Sequence, residues 1–452
     1  MAAEAHRQQP GEMAIRSVAW EGNGVSISIT LGGEEQRVRF AASEDVGEDP
    51  DFLLPTTVLP AMRAHVPLRL PGEMSHRLSS SVPTIQDIFS VWDPERFQRV
   101  PIDVRVREAS QRSRMAGIGC FFSGGVDSFY SLLKHREEIS HLIFMELPLA
   151  GRSVRGQASR AAHEVAKDLG KTLIEVETDL FSLSKTAQVP WNYYHGMRLA
   201  SVGLLFQHLF REVLIPASFD YSLLFPWGSH PLLDPLWSTE LTDFRHDGCD
   251  VTRAEKVAFI SEHEIAMEWL RVCYKDPDAY NCGRCEKCIR TMIGLRAADA
   301  LERCRTLPDD LDLAAVATLD LSGKVPRAFA QQNLRALGHL GTEAELTRAL
   351  AGALATSSKT GEGRTGNPEG EYLRRQLSLA RRRLERTRAR LEASGTTIER
   401  LRARNEKLAQ RNARLATRYS GWQVRLMEVL SKVSHPVSRM ARILSRISGS
   451  SD

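Results

Sequence analysis

Two short stretches of this 452-residue chain carry the residue types from which chemistry is built. In Ser123-Gly124-Gly125-Val126-Asp127-Ser128, two glycines let a backbone approach an anion closely, with two hydroxyls and a carboxylate beside them. An apolar run precedes the stretch and a helical pattern follows it. This predicts a strand-to-helix turn whose helix dipole favours negative charge, a cradle for pyrophosphate. It is not a Walker A loop: no lysine follows the second glycine, and Gly170-Lys171-Thr172 lacks a glycine five residues earlier.

The other stretch holds Cys273, Cys282, Cys285 and Cys288, four of the seven cysteines of the chain. Two-residue gaps let successive thiolates turn around one tetrahedral Zn²⁺, and Gly283 supplies a tight turn between the second and third ligands. Zinc fits this closed spacing best, in a structural role; an iron–sulfur cluster also accepts four thiolates. Disulfides do not suit the cytoplasm, which is the expected compartment because the first residues lack the order of a secretory signal. No apolar run approaches the ~18 residues of a membrane-spanning helix. Cys120, Cys249 and Cys304 read as small buried residues.

The elements that must position these groups are legible as periodicities. From about 117 to 240, short apolar runs at Gly117 to Phe122, His141 to Leu147, Thr172 to Val176 and Val213 to Ala217 alternate with helical segments. Those segments are Asp127 to Lys134, Ser159 to Leu169 and Arg198 to Phe210. The alternation predicts an α/β fold, a parallel sheet with flanking helices and ligands at the strand ends. Before it, Val25 to Thr30 alternates apolar and hydroxyl residues between glycine turns, so residues 1–112 read as a small N-terminal β-rich domain with some helix near Ile85 to Trp92. Residues 113–355 form the sheet domain with the cysteine loop and a helical extension. Residues 356–370, without apolar anchors, read as a linker.

The strand–SGGVDS–helix pattern resembles the PP-loop of ATP pyrophosphatases, a superfamily that includes asparagine and GMP synthetases, tRNA-thiolating enzymes and 7-cyano-7-deazaguanine synthases. The resemblance implies the PP-loop (HUP-like) sheet and cleavage of ATP between its α and β phosphates to give an adenylate. Ser123, Gly124, Gly125 and Ser128 would hold the leaving pyrophosphate, and Asp127 would position the loop or its Mg²⁺, with Asp127 and Ser128 counted as catalytic. Cys-x8-Cys-x2-Cys-x2-Cys is similar to the zinc site of the 7-cyano-7-deazaguanine synthase group. Asp220-Tyr221-Ser222 is likewise similar to its substrate-side Asp-Tyr-Ser, and Thr252-Arg253-Ala254-Glu255-Lys256 resembles its helix start ahead of the zinc loop; Asp220 and Lys256 are candidate substrate contacts. The likeness spans about residues 117 to 300. It breaks at Glu146 to Arg152 and at Phe225 to Asp234, the regions that would touch a deazapurine, which implies a different small-molecule substrate. Within the second region Ser229 is a candidate contact because Gly228 lets it face a ligand, and Tyr221, Trp227, His230, Asp234 and Trp237 share the loop.

Charge divides the chain again. Residues 371–452 hold 20 Lys and Arg against 7 Asp and Glu, so the first 370 residues sum to −9 within a total of +4. In that tail Leu377, Leu384, Leu391, Ile398, Asn405, Asn412 and Tyr419 fall seven apart, the seam of a coiled coil that would pair two chains as a homodimer; the alternative is a lone solvated helix. Val437, Met440, Ile443, Leu444 and Ile447 then line one side of a basic amphipathic helix suited to a protein partner or an anionic surface. Nucleic acid is disfavoured by the scarcity of aromatics. The expected function is ATP-dependent adenylation of a carboxylate or amide oxygen for attack by a nitrogen nucleophile. The alternatives are an inactive nucleotide-binding scaffold that recruits a partner through its coiled coil, and a tRNA-modifying enzyme.

Overall fold

A computed structural model describes residues 12–108, 114–145, 150–341 and 343–361, with ten single positions between 403 and 428. The chain divides into two units, Met1–Arg364 and Thr365–Asp452. The expected heptad seam over 377–422 and amphipathic segment over 437–447 lie outside the described residues, apart from exposed helical positions such as Arg404, Glu406 and Arg411. Among the described residues no helix is long and apolar enough to cross a membrane.

The first unit is α/β. Its strands are β1 (Met13–Glu21), β2 (Gly24–Leu31), β3 (Glu34–Ala42), β4 (Leu68–Met74), β5 (Ile102–Val106), β6 (Gly117–Phe121), β7 (His141–Met145), β8 (Thr172–Thr178), β9 (Phe210–Pro216) and β10 (Asp243–Asp247). The helices are α1 (Leu53–Ala64), α2 (His76–Trp92), α3 (Val126–Lys134), α4 (Arg152–Asp168), α5 (Leu180–Thr186) and α6 (Trp191–Leu205). They continue with α7 (Arg253–Ser261), α8 (Glu264–Trp269), α9 (Glu286–Ala297), α10 (Leu313–Ala317), α11 (Lys324–Leu340) and α12 (Ala344–Gly361).

The ten strands among the described residues lie in one mixed, mostly parallel sheet of order β10-β9-β6-β7-β8-β3-β2-β1-β4-β5. From β10 to β8 every pairing is parallel. The chain leaves β6 in one direction for β7 and β8, then returns to the other side for β9 and β10. The C-terminal end of β6 is therefore the point where the winding reverses, the place where open α/β sheets bind ligands. Both faces of these strands are buried, which explains their unbroken apolar runs. On β7, Leu142 and Phe144 enter one core cluster while Ile143 and Met145 enter the other.

The N-terminal strands fold as the hairpins their turns require, with Gly22 at φ 57° and Gly32 and Gly33 at φ 60° and 86°. They do not form a sheet of their own. β3 pairs antiparallel with β8, Phe40 opposite Thr178 and Ala42 opposite Val176, so these N-terminal strands extend the parallel sheet. Val25, Ile27, Ile29 and Phe40 bury their side chains in the same cluster as Phe206 and Phe210. The carboxylate of Asp51 ties the halves further, accepting from the Ser75 amide at 2.7 Å and the Gln207 side chain at 3.0 Å.

Three elements differ from the sequence expectation. Helix α1 forms despite Pro55 and Pro60 because it is buried all round from Leu53 to Met62, and tertiary packing outweighs the lost donors. Phe210 opens β9 instead of closing a helix. Residues Thr356–Gly361 continue α12, whose Leu346, Leu350 and Leu354 are buried, instead of opening a linker.

Helix α6 crosses the 225–230 loop at a glycine–glycine contact. A Cβ on Gly196 would overlap the Gly228 carbonyl, and one on Gly228 would overlap the Tyr193 carbonyl. Gly196→Ala and Gly228→Ala are each expected to destabilise the protein by about 3 kcal/mol or more, since backbone cannot swing aside as a side chain can. Urea unfolding midpoints against wild type measure this.

Candidate functional site

The glycine turn sits on the C-terminal end of β6, and its internal bonding gives it a fixed shape. Gly124 adopts φ 73°, which an L side chain rarely tolerates, and the Arg271 amide donates to its carbonyl at 2.7 Å. The Ser128 hydroxyl donates to the Gly125 carbonyl at 3.0 Å and accepts from the Ser123 amide at 3.2 Å. The Ser123 and Ser128 hydroxyl oxygens lie 3.3 Å apart. Gly125 is the N-cap of α3 and supplies no capping side chain, so the positive end of that helix is left for an anion.

Asp127, in the first turn of α3, is clamped. Arg253 Nη1 donates to both carboxylate oxygens at 3.0 and 2.9 Å, and Lys256 Nζ stands 3.6 Å away. Burial opposes the ionised form, yet the charges of Arg253 and Lys256 and the Arg253 hydrogen bond outweigh it and hold the carboxyl below its usual range. Lys256 is itself buried and donates to the Ala217 carbonyl at 2.6 Å, joining the end of β9 to the turn. The α7 start that presents both cations is held by a capping box between Thr252 and Glu255.

Positive charge exceeds negative charge around this clamp. Arg253, Lys256, Arg271, Lys287 and Arg290 gather near Asp127 and Glu286. The Nε atoms of Arg253, Arg271 and Arg290 are buried without a hydrogen-bond partner. Burial, then the Arg290 and Arg253 charges, bring the Lys287 ammonium down to about 7. Burial, then Arg253, bring the Arg290 guanidinium down to about 10. Phe329 lies under the guanidiniums of Arg290 and Arg253, at 4.5 and 5.7 Å, and stacks on Phe219. Crowded cations with orphaned donors are an arrangement that a polyanion would relieve.

The cysteine loop adjoins the turn. The Sγ atoms of Cys273, Cys282, Cys285 and Cys288 all lie within 4.8 Å of one another, with separations of 4.0, 4.0 and 3.5 Å for the pairs 273–285, 282–288 and 285–288. Four thiolates on a zinc ion would stand about 3.8 Å apart, the edge of a tetrahedron with ~2.3 Å bonds. Disulfides would bring sulfurs to ~2.05 Å. The cluster could therefore hold a metal ion such as zinc. Three of the thiols compete for protons: hydrogen bonds from Cys285 and Cys288 hold Cys273 low, while Cys273 pushes Cys285 up to about 11 and Cys288 higher still. A divalent cation removes that competition.

Asn281 arranges the loop. Its carbonyl oxygen accepts the Val272 and Cys273 amides at 2.9 and 3.2 Å, and its amide nitrogen donates to the Leu270 and Thr306 carbonyls at 2.8 and 3.1 Å. Two residues before Cys273, the main chain of Arg271 grips the glycine turn, and the Pro277 carbonyl accepts the Gly151 amide at the start of α4 at 2.8 Å. The cysteine loop is thus a brace for the mouth of the site.

The structure places the other expected contacts in two groups. Asp220 is buried at a turn, bonded to the Ser222 amide and hydroxyl and accepting from Gln332 of α11 at 2.7 Å. Gln332 in turn accepts the Arg253 amide at 3.1 Å, so Asp220 is linked to the clamp. Ser229 belongs elsewhere, donating to Asp234 at 2.8 Å beside His246. Arg271, Arg290, Asn281 and His246 carried no sequence signal: each is an ordinary polar residue until the fold brings its neighbours to it. No family model, curated protein or solved structure matches this chain.

Metal analysis of purified protein is expected to give one zinc per chain, and Cys285→Ser is expected to lose it together with several kcal/mol of stability. Bound metal should also be released on acidification, as thiolates take up protons. Iron with sulfide in place of zinc would overturn this assignment.

Proposed function

We propose that this chain is a PP-loop ATP pyrophosphatase that adenylates a carboxylate or amide oxygen and passes the activated group to a nitrogen nucleophile. The observation that carries the reading is the uncapped glycine turn at the sheet's reversal point, ringed by more cations than it has carboxylates to pair with. A nucleotide's β and γ phosphates suit this place, with the first turn of α3 and the Ser123 and Ser128 hydroxyls as donors. The attacked α-phosphorus would then face the Asp220 and Phe219 side.

Asp127 acts here as the positioning group for the loop. Its carboxylate is committed to Arg253 and Lys256, so the Mg²⁺ would arrive with and be held chiefly by the phosphates. Removing Asp127 would free two cations to compete for the pyrophosphate and loosen the helix start they come from. Arg271 and Lys287 supply charge to the leaving group, a stabilisation that grows as the bridging oxygen departs. The substrate is a small acid or amide distinct from a deazapurine carboxylate, given the different residues at Phe225 to Asp234.

Pyrophosphate release is expected when the protein is incubated with ATP, Mg²⁺, ammonium and a panel of carboxylic acids. Ser128→Ala is expected to slow it on the order of 100-fold, the loss of one charge-stabilising donor. Asp127→Ala is expected to abolish it, and activity that survives Asp127→Ala would sink the assignment of the loop. Nucleotide binding without any pyrophosphate would favour a non-catalytic scaffold.

A further inference from the structure

Four aromatic rings run from the Asp127 clamp to the loop that crosses α6, and among the described residues none of them joins either hydrophobic core. Phe329 of α11 is buried, while Phe219, Phe225 and Trp227 are only half-buried. Phe219 stacks on Phe329 with ring centres 6.1 Å apart and planes 10° from parallel. It meets Phe225 at 4.8 Å and Trp227 at 5.7 Å, and these two meet each other at 5.5 Å. Rings of this size ordinarily bury themselves in a core, and a cluster of them left partly open to water marks a binding surface.

This wall of rings is held at both ends. At one end the Gly228 amide donates to the Asn192 carbonyl at 2.8 Å, and the close approach of Gly228 to Tyr193 and Gly196 fixes the residue before it against α6. There the Trp227 ring meets the His195 imidazole at 4.9 Å. At the other end Phe329 lies under the guanidiniums of Arg290 and Arg253. Arg253 gives its Nη1 to Asp127 and Arg290 gives its Nη1 to Glu286, while the Nε of each is buried without a hydrogen-bond partner. A carboxylate is the acceptor that suits such donors. The wall is therefore aromatic along its length and cationic at the end beside Asp127.

We propose that this wall receives the substrate, and that the substrate is an aromatic carboxylic acid whose ring lies on Phe219 and Trp227 and whose carboxylate points to Arg290 and Arg253. Its role as substrate rests on the adenylation proposed above. The charges divide accordingly. Arg271 and Lys287 serve the leaving pyrophosphate, whereas Arg290 and Arg253 stand over Phe329 on the Phe219 side, where the α-phosphorus would be attacked. An acid bound in this way presents a carboxylate oxygen to the phosphorus and keeps its ring out of the reaction. Adenine is the other planar ring at the site, but it is neutral, and the cationic end of the wall calls for a ring that carries its own anion. An acid with a polar body, such as an amino acid, would press its polar groups against rings that offer them no hydrogen bond.

Calorimetric titration of the full chain with cinnamate tests the wall without any nucleotide. Cinnamate is expected to bind at least ~10-fold more tightly than acetate, which lacks the ring, and than cinnamyl alcohol, which lacks the carboxylate. Trp227→Phe is expected to keep its affinity within about 3-fold, and Trp227→Ala to weaken it about 10-fold. Phe219→Leu, which keeps apolar bulk on a half-buried ring, is expected to weaken it about 5-fold and serves where Trp227→Ala fails to fold. Cinnamate no tighter than acetate overturns the proposal, as does an affinity that neither variant moves. Displacement of bound cinnamate by adenosine overturns it too, because the wall would then belong to the nucleotide base. In the pyrophosphate assay, release driven by aspartate or glutamate and not by aryl acids overturns the aromatic class while leaving the adenylation intact. Tight cinnamate in a protein that releases no pyrophosphate with any acid upholds the wall and sinks the adenylation instead.

Discussion

Asp127 has to be an anion in a place built for anions of another kind. It stands in the first turn of α3, where the helix dipole favours negative charge, and Arg253 and Lys256 keep it ionised. The pairing is mostly buried, so removing one partner would leave an uncompensated charge costing about 3–5 kcal/mol. Much of the surrounding architecture follows from it. The capping box fixes α7 so that both cations arrive at one carboxylate, Lys256 carries the constraint on to β9, and Gln332 carries it to Asp220. Once Asp127 has taken Arg253 and Lys256, Glu286 answers Arg290 at 3.1 Å, and Arg271 and Lys287 remain beside them as further cations.

The rest of the fold holds that charge in place. Cations crowded together repel, and they stay together only if their backbones are anchored by something stronger. Arg271 is anchored through its main chain to Gly124, and the segment that follows it through Asn281 and the four cysteines. Cys288 and Lys287 share the first turns of α9 with Arg290, so an ion bound by the cysteines would pin two of the cations directly. The cysteine loop and the glycine turn, separated by about 150 residues in sequence, are one mechanical unit.

The N-terminal strands have a plainer role. A parallel sheet leaves a bare edge at β8, and an exposed edge invites unwanted pairing. β3 covers it, and the shared core from Val25 to Phe210 makes the extension part of the same hydrophobic body. The buried Asp51 with its Ser75 and Gln207 partners holds the two halves in register without contributing to the site.

Local sequence determined what depends on local physics. Strand alternation at Val25 to Thr30, the hairpin glycines, the strand–turn–helix at Ser123 to Ser128 and the two-residue cysteine spacing each state a short-range constraint, and each is found where its residues stand. Helix α1 was hidden by its prolines, because only burial on every side offsets their missing donors, and burial is decided by distant elements. The joining of β3 to β8 was equally invisible, since backbone pairing between edges needs no side-chain code. Arg271, Asn281 and the grouping of Ser229 with Asp234 and His246 belong to tertiary structure alone. Their chemistry arises from what lies within a few ångströms, and residues that meet there come from segments whose order in the chain carries no trace of the meeting.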